Sequence, residues 1–151
     1  MQTYFPASPE EALTFTGEYC AGGTDVQARQ NKGLRSEDII DLSKIEGYAD
    51  ISFDSEGNCR IGSLRRLSYL AEDSGLLRHF PLLAEASGKL ATPQIRNMAT
   101  LGGALLQLTR CPYFRQIGFD CLKKGDASCS FRESGLELPI CLDMGSCAYP
   151  H

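Results

Sequence analysis

The sequence predicts an α+β fold, and three stretches carry that expectation. A strand-like Tyr19-Cys20-Ala21 runs into Gly22-Gly23-Thr24-Asp25 and then into a helical segment, Val26–Lys32. Two strand-like runs, Ala49–Phe53 and Cys59–Ile61, flank the turn residues Asp54-Ser55-Glu56-Gly57-Asn58 and read as a β-hairpin. Beyond Ser63, Leu64, Leu67, Leu70 and Ala71 recur at helical spacing. An α/β start therefore gives way to a hairpin and helices, with a subdomain boundary expected near Lys44–Asp50.

Each element has a local cause. Thr3-Tyr4-Phe5 reads as a short strand stopped by Pro6. Ser8-Pro9-Glu10-Glu11 is a helix start: the hydroxyl caps, proline suits the first helical position, and the acids favour the positive end. Ala12, Leu13 and Phe15 would supply its apolar face. The glycine pair after the second strand permits φ > 0 and close backbone approach, with Thr24-Asp25 able to cap the next helix. Such a corner offers N–H groups to an anion. By itself it is also an ordinary tight turn, and it lacks both the Rossmann spacing and the P-loop lysine. Asp38–Leu42 reads as a strand, with a short helix capped by Ser36 or Asp38 as the alternative. Ser63 is expected to cap the first long helix and Gly75 to interrupt it; Ala84–Leu90 completes a second. His79 beside Phe80-Pro81 reads as a surface or capping residue, and His151 is terminal.

Composition narrows the function classes. The chain has 151 residues, 42% hydrophobic and 23% charged, enough for one medium domain or two small subdomains with a real core. The net charge of −4 and the brevity of Arg65-Arg66 and Lys123-Lys124 argue against nucleic-acid binding. No run approaches the roughly 20 apolar residues of a membrane span. MQTYFPASPEEAL has neither the basic nor the apolar region of a secretory signal. The expected location is cytoplasmic, with periplasmic export alongside a signal-bearing partner as the alternative. No Ser/His/Asp or Cys/His nucleophilic set occurs, so no catalytic residue is assigned.

Two further stretches stand out. Ala91–Gly103 (ATPQIRNMATLGG) places a second glycine pair, Gly102-Gly103, behind a polar run. The seven cysteines are unevenly spread: Cys20 and Cys59 sit alone in strand-like contexts and read as small core residues. Cys111, Cys121, Cys129, Cys141 and Cys147 crowd the last quarter. The odd count and the missing signal argue against a disulfide framework. With no CxxC, spacing alone leaves structural zinc, an iron–sulfur cluster and free thiols open. Gly118, Gly125, Gly135 and Gly145 make this segment loop-like, in need of a metal to order it.

AGGTD at Ala21–Asp25, RIGSL at Arg60–Leu64 and ATPQIRNMATLGG at Ala91–Gly103 occur in an order that resembles the FAD-binding subunit of the molybdenum hydroxylases. These include the xanthine dehydrogenase and carbon monoxide dehydrogenase flavoproteins. The resemblance covers roughly residues 1–115 and implies a two-subdomain FAD-binding fold of the molybdopterin dehydrogenase type. It assigns the flavin pyrophosphate to Ala21, Gly22, Gly23, Thr24 and Asp25 on one side. On the other side it assigns Thr100, Gly102 and Gly103, with Ile95, Arg96 and Asn97 nearby. Ala104 departs from the asparagine usual in the family. The family's flavoprotein is also longer, so the second subdomain is expected to be incomplete.

RCPYFRQ at Arg110–Gln116 resembles a narrower branch carrying an extra cysteine-rich loop, as in 4-hydroxybenzoyl-CoA reductase and the bacterial aldehyde dehydrogenase resembling xanthine dehydrogenase. That likeness implies a [4Fe–4S] cluster on Cys111, Cys121, Cys129 and Cys147, with Cys141 as the spare. The implied partners are a molybdopterin-binding large subunit and a [2Fe–2S] small subunit. The expected parts are 1–48 and 49–110, two FAD-binding subdomains, and 111–151, the cysteine-rich loop. The implied role is electron transfer through FAD to an acceptor. The competing expectation is a truncated, non-catalytic α+β remnant that binds a metal or a partner but no flavin.

Overall fold

The computed structural model describes residues 2–34, 38–137, 139–140, 143, 145 and 147–149. They fall into two compact units, one within residues 1–26 and 37–106, the other within 27–36 and 107–151.

The first unit opens with β1 (Thr3–Tyr4) and α1 (Pro9–Ala12). Ser8 is extended and its hydroxyl accepts from the Glu11 N–H at 3.2 Å, while the Glu11 carboxylate reaches back to the Ala7 N–H at 2.7 Å. This reciprocal arrangement is close to a capping box, and Pro9 occupies the first turn, where its missing N–H costs nothing. There follow β2 (Glu18–Cys20) and β3 (Ile39–Asp41), and between them in sequence α2 (Val26–Gln30), which falls in the second unit from Gln27 on. The strands form a parallel sheet in the order β1-β3-β2, with Ile39 opposite both Thr3 and Glu18. The central strand buries consecutive isoleucines, Ile39 and Ile40, as a strand covered on both faces does.

Ala12, Ile40 and Ile45 form the core beneath α1, and Tyr4 stacks on Phe15 at 4.4 Å. Leu13 is 76% exposed, so the apolar face expected of Ala12, Leu13 and Phe15 loses its middle member. The strand reading of Asp38–Leu42 holds. The helical turn comes immediately after it, a single 3₁₀ turn over Leu42–Lys44 capped by Asp41.

The hairpin forms where the alternation places it. β4 (Ile51–Phe53) pairs antiparallel with β5 (Cys59–Ile61), Ile51 opposite Ile61. The Asp54 carboxylate shapes the turn by accepting from the N–H groups of Glu56 and Asn58 at 2.9 and 2.8 Å.

The helices beyond differ in their boundaries. α3 spans Leu67–Glu72, α4 Ser74–His79 and α5 Pro81–Lys89. Ser63 caps nothing: Gly62 to Arg65 form a turn, Arg66 bridges to Thr100, and α3 begins at Leu67 with Arg66 as an N-cap that makes no side-chain hydrogen bond. The expected interruption at Gly75 lies instead at Asp73, whose carboxylate accepts from the Leu76 N–H and starts α4; Gly75 is inside that helix. A capping carboxylate outweighed the glycine as punctuation. Leu67, Leu70, Leu76, Ala84 and Ala99 form the core here, with Ile51, Cys59 and Ile61 of the hairpin against it. His79 is exposed at the end of α4, near the Phe53 ring. Two short helices close the unit, α6 (Pro93–Arg96) and α7 (Leu101–Leu105).

The second unit holds most of α2 and, among the described residues from Gln107 on, is mostly loop, with one 3₁₀ turn (Leu122–Lys124) and one short helix, α8 (Ser130–Glu133). Gly118, Gly125, Gly135 and Gly145 all adopt positive φ, from 73° to 97°, which is why glycine punctuates this stretch. Its core is Cys111, Phe131 and Ala148, with Tyr113, Phe114, Cys129 and Tyr149 packed around them. The Phe131 ring meets Tyr113 and Tyr149 edge to face, at 5.8 and 5.6 Å. Among the described residues no helix is long and apolar enough to cross a membrane. Cys141 and His151 lie outside the described residues.

Candidate functional site

The two glycine segments meet inside the first unit. Gly22 packs so closely on the backbone of Met98 and Ala99 that a methyl group there would overlap the Met98 carbonyl oxygen. Gly23 follows with φ of 70° and turns the chain toward α2. The N–H groups of Gly22 and Thr24 donate to nothing among the described residues, and Ala21 through Asp25 are all half-buried. A concave backbone with unpaired donors and a nearby hydroxyl is chemically suited to an anion.

The second segment is built differently from the expectation. Thr100 is buried and caps α7, its hydroxyl accepting from the Gly103 N–H at 3.2 Å. The Leu101 and Gly102 N–H groups donate to the carbonyls of Arg65 and Ser63, both at 2.8 Å. All three donors of the glycine turn are therefore committed within the chain. Gly102 is needed for packing, because a Cβ there would lie 2.9 Å from the Ser63 Cβ. The stretch from Ser63 to Arg65, not a ligand, is what the start of α7 grips through Leu101 and Gly102. Arg96 likewise turns inward, its Nη1 donating to the carbonyls of Leu90 and Ala91 at 3.2 and 2.8 Å. Ala91 has φ of 55°, the left-handed region that a side chain disfavours, so the arginine steadies a strained corner. Ile95 and Asn97 are exposed, and Ala104 packs against the aliphatic core.

The second constellation lies within the other unit. Cys111, Cys121, Cys129 and Cys147 all line one small cavity, walled by Tyr113, Phe114, Phe131 and Tyr149. Three of them head a turn that closes on their own carbonyl: Arg115 N–H on Cys111, Lys124 N–H on Cys121 and Glu133 N–H on Cys129. All four thiols are free. No three His, Cys, Asp or Glu among the described residues come close enough together to hold a single metal ion. A cubane cluster spreads its four thiolates over four irons, so a ring of sulfurs around a cavity suits it better than it suits zinc. Cys20 stands apart in the first unit; burial, then the nearby Asp41 and Glu18, push its thiol up, which disfavours the thiolate a metal needs.

Residues 1–128 match the family described as the FAD binding domain in molybdopterin dehydrogenase. The chain belongs to this family. It is 40% identical to the xanthine dehydrogenase FAD-binding subunit of Escherichia coli O157:H7 over 55% of its own length and 29% of that protein's. It is 34% identical to the aldehyde oxidoreductase FAD-binding subunit PaoB of Escherichia coli K12, over 71% of this chain and 34% of that one. The solved carbon monoxide dehydrogenase from Hydrogenophaga pseudoflava is similar in fold, with a TM-score of 0.64 at 26% identity over 69% of this chain and 38% of that chain. The chain thus spans about a third of the length of these relatives.

For the FAD of this family, the first glycine segment fits as a pyrophosphate cradle, since it alone offers unpaired donors. The second fits as the wall that fixes it, through the Gly22–Met98 approach. α2 and α7 are five residues each, so their dipoles add little to either. Sequence reading missed Arg115, which is 7% exposed and donates from Nε to the Thr109 carbonyl at 2.8 Å and from Nη2 to that of Leu108 at 2.7 Å. It also missed Arg132, which forms a forked pair with Asp143. Neither carries a local signal, because their partners are carbonyls or a residue eleven positions away.

Proposed function

We propose that this chain forms part of the FAD-binding, electron-transfer subunit of a molybdenum-containing dehydrogenase of the xanthine/aldehyde type. The observation that carries this is the packing of Gly22 onto Met98–Ala99, which joins the two glycine segments into one half-buried wall. Gly22 and Thr24 offer their N–H groups to the pyrophosphate, Ala21, Gly23 and Asp25 shape the cradle, and Thr100, Gly102 and Gly103 hold the opposing backbone in place. Bound FAD would supply the redox centre that links one-electron carriers to an external acceptor. The protein's contribution is position and polarity.

The same reading gives the cysteine-rich end a [4Fe–4S] cluster on Cys111, Cys121, Cys129 and Cys147. Their shared cavity and the softness of a four-thiol set support it. On this reading the chain belongs to the branch of 4-hydroxybenzoyl-CoA reductase and the xanthine-dehydrogenase-like aldehyde dehydrogenase. Residues 1–48 and 49–110 serve as the two flavin subdomains and 111–151 as the cluster loop. The partners are a molybdopterin-binding large subunit, where substrate chemistry takes place, and a [2Fe–2S] small subunit. The compartment is the cytoplasm.

A second reading has an observation in its favour. The N–H groups of Leu101, Gly102 and Gly103 are all used internally and Ala104 supplies no amide, as in a folded remnant that binds a partner but no flavin. Anaerobic purification and a visible spectrum separate the two. Flavin absorption with fluorescence released on heating is expected. A colourless protein with stoichiometric zinc overturns both cofactor assignments. Cys121→Ser and Cys129→Ser should each lose iron, and undiminished iron rejects the ligand set.

A further inference from the structure

Arg132 does not line the four-thiol cavity but sits on the short helix that Cys129, one of its lining residues, begins. It lies three residues beyond Cys129, on α8, directly after Phe131 of the buried core. Its two terminal nitrogens grip Asp143, Nη1 to Oδ2 at 2.9 Å and Nη2 to Oδ1 at 2.6 Å. Asp143 is itself fixed by the Gly145 N–H at 2.9 Å. The third donor, Nε–H, is buried and has no partner among the described residues, although 28% of the side chain as a whole remains exposed. Buried donors are nearly always paired in folded proteins, so an unpaired one is suited to a partner. The hydrogen bonds to Asp143, opposed in part by desolvation and helped by the Asp143 charge, favour the charged guanidinium. Cys129 is the N-cap of α8 and Arg132 its third residue, positions whose side chains share one face of the first turn, and an acceptor on that side would satisfy the donor.

We propose that Arg132 sets the reduction potential of the cysteine-bound cluster, its Nε–H donating to a sulfur beside Cys129 and Cys147 while Asp143 holds the guanidinium fork. This rests on the cluster reading given above. Four thiolates around a cubane carry net negative charge, and one-electron reduction adds one more without making or breaking a bond. A cation and an N–H···S bond both stabilise the reduced form, so Arg132 raises the potential. Asp143 opposes it in charge but positions it. The pair therefore acts as a tunable setting, and Arg132 is a positioning residue of the redox centre.

The test is a potentiometric titration of the full chain, loaded anaerobically with iron and sulfide, with dithionite as reductant and the cluster's paramagnetic signal as readout. Arg132→Gln should lower the reduced-to-oxidised ratio at the wild-type midpoint by about tenfold, equivalent to about 59 mV for one electron. Arg132→Lys keeps the charge and loses the planar Nε donor, so it should fall between. Asp143→Asn should raise the ratio, because it removes a negative charge and leaves the arginine uncompensated. This opposition in sign is what a merely structural pair cannot give. Loss of structure would cut iron content in both variants and move neither potential upward. If Arg132→Gln fails to load iron, the direction of Asp143→Asn decides, and a fall in that variant overturns the proposal. A wild-type chain that takes up no cluster overturns the underlying reading. A wild type that loads, with variants at unchanged potential, overturns this inference alone.

Discussion

Between β4 and α7 the chain buries Leu67, Leu70, Leu76, Ala84 and Ala99 together, with strands and helices leading into one aliphatic core. Between Cys111 and Tyr149 it buries Cys111, Phe131 and Ala148, with edge-to-face aromatic rings and half-buried thiols around them. The first region removes enough apolar surface to offset the entropy of ordering its chain. The second has few buried aliphatic residues, four positive-φ glycines and long loops, and its thiols line one small cavity. One region has an aliphatic core; the other has a smaller one of aromatic rings and thiols.

That contrast is most directly broken by taking the metal away. Iron removal by an anaerobic chelator should leave residues 38–106 resistant to limited proteolysis while cleavage appears between Cys111 and Tyr149. Equal protection in loaded and stripped protein would mean that the aromatic cluster suffices and the comparison is wrong.

The first region is in turn most sensitive where backbones touch. Gly22→Ala must push the chain away from Met98, an overpacking that costs roughly 1–3 kcal/mol and opens the wall of the cradle. Denaturant unfolding should register the loss, and retained flavin should fall with it. Iron content should not change, because Gly22 belongs to the other unit. Flavin retained at wild-type levels would remove Gly22–Met98 as the organising contact.

Thr100→Ala probes the same wall more gently. It removes the cap from α7 and leaves the Gly103 N–H unpaired, at a cost of about 1 kcal/mol. Thr100→Ser keeps the hydroxyl and should restore most of it in thermal unfolding. An alanine variant as stable as wild type would show that α7 is held by the Ser63 and Arg65 carbonyls alone.

The strands were legible because their causes are local. Ser8-Pro9 capping, the Asp54 turn and the paired isoleucines of β3 need only neighbouring residues, and all appear where the sequence places them. The helices after Gly62 were misjudged at both ends. Ser63 was already bound, its carbonyl engaged by Gly102 some forty residues on, and Asp73 supplied a cap that the periodicity of leucines conceals. For the site, residue type predicted the place but not the bonding. Glycine pairs suggested two open cradles, whereas one has its donors consumed by long-range carbonyls. Thiol spacing alone left zinc, a cluster and free thiols open, and the family likeness singled out the four cysteines that line one cavity. Arg115 and Arg132 were invisible because an arginine's partners depend on the folded path.

The smallest effect also sets the two regions side by side, through one exposed carboxylate in each. The Asn58 side chain, then its N–H and those of Glu56 and Gly57, hold the Asp54 carboxyl below its ordinary range. The Arg132 fork does the same for Asp143, more strongly. Both folded pKa values are depressed, so each contribution is complete above the unfolded value of about 3.9 and is lost as pH falls through the folded one. Exposure keeps both small. Carboxyl titration by NMR should place each midpoint below the usual value, with Asp143 the lower. Asn58→Ala should move Asp54 back toward normal and leave Asp143 where it is. Coupled movement of the two would mean that the hairpin turn and the cysteine loop are not independent structures.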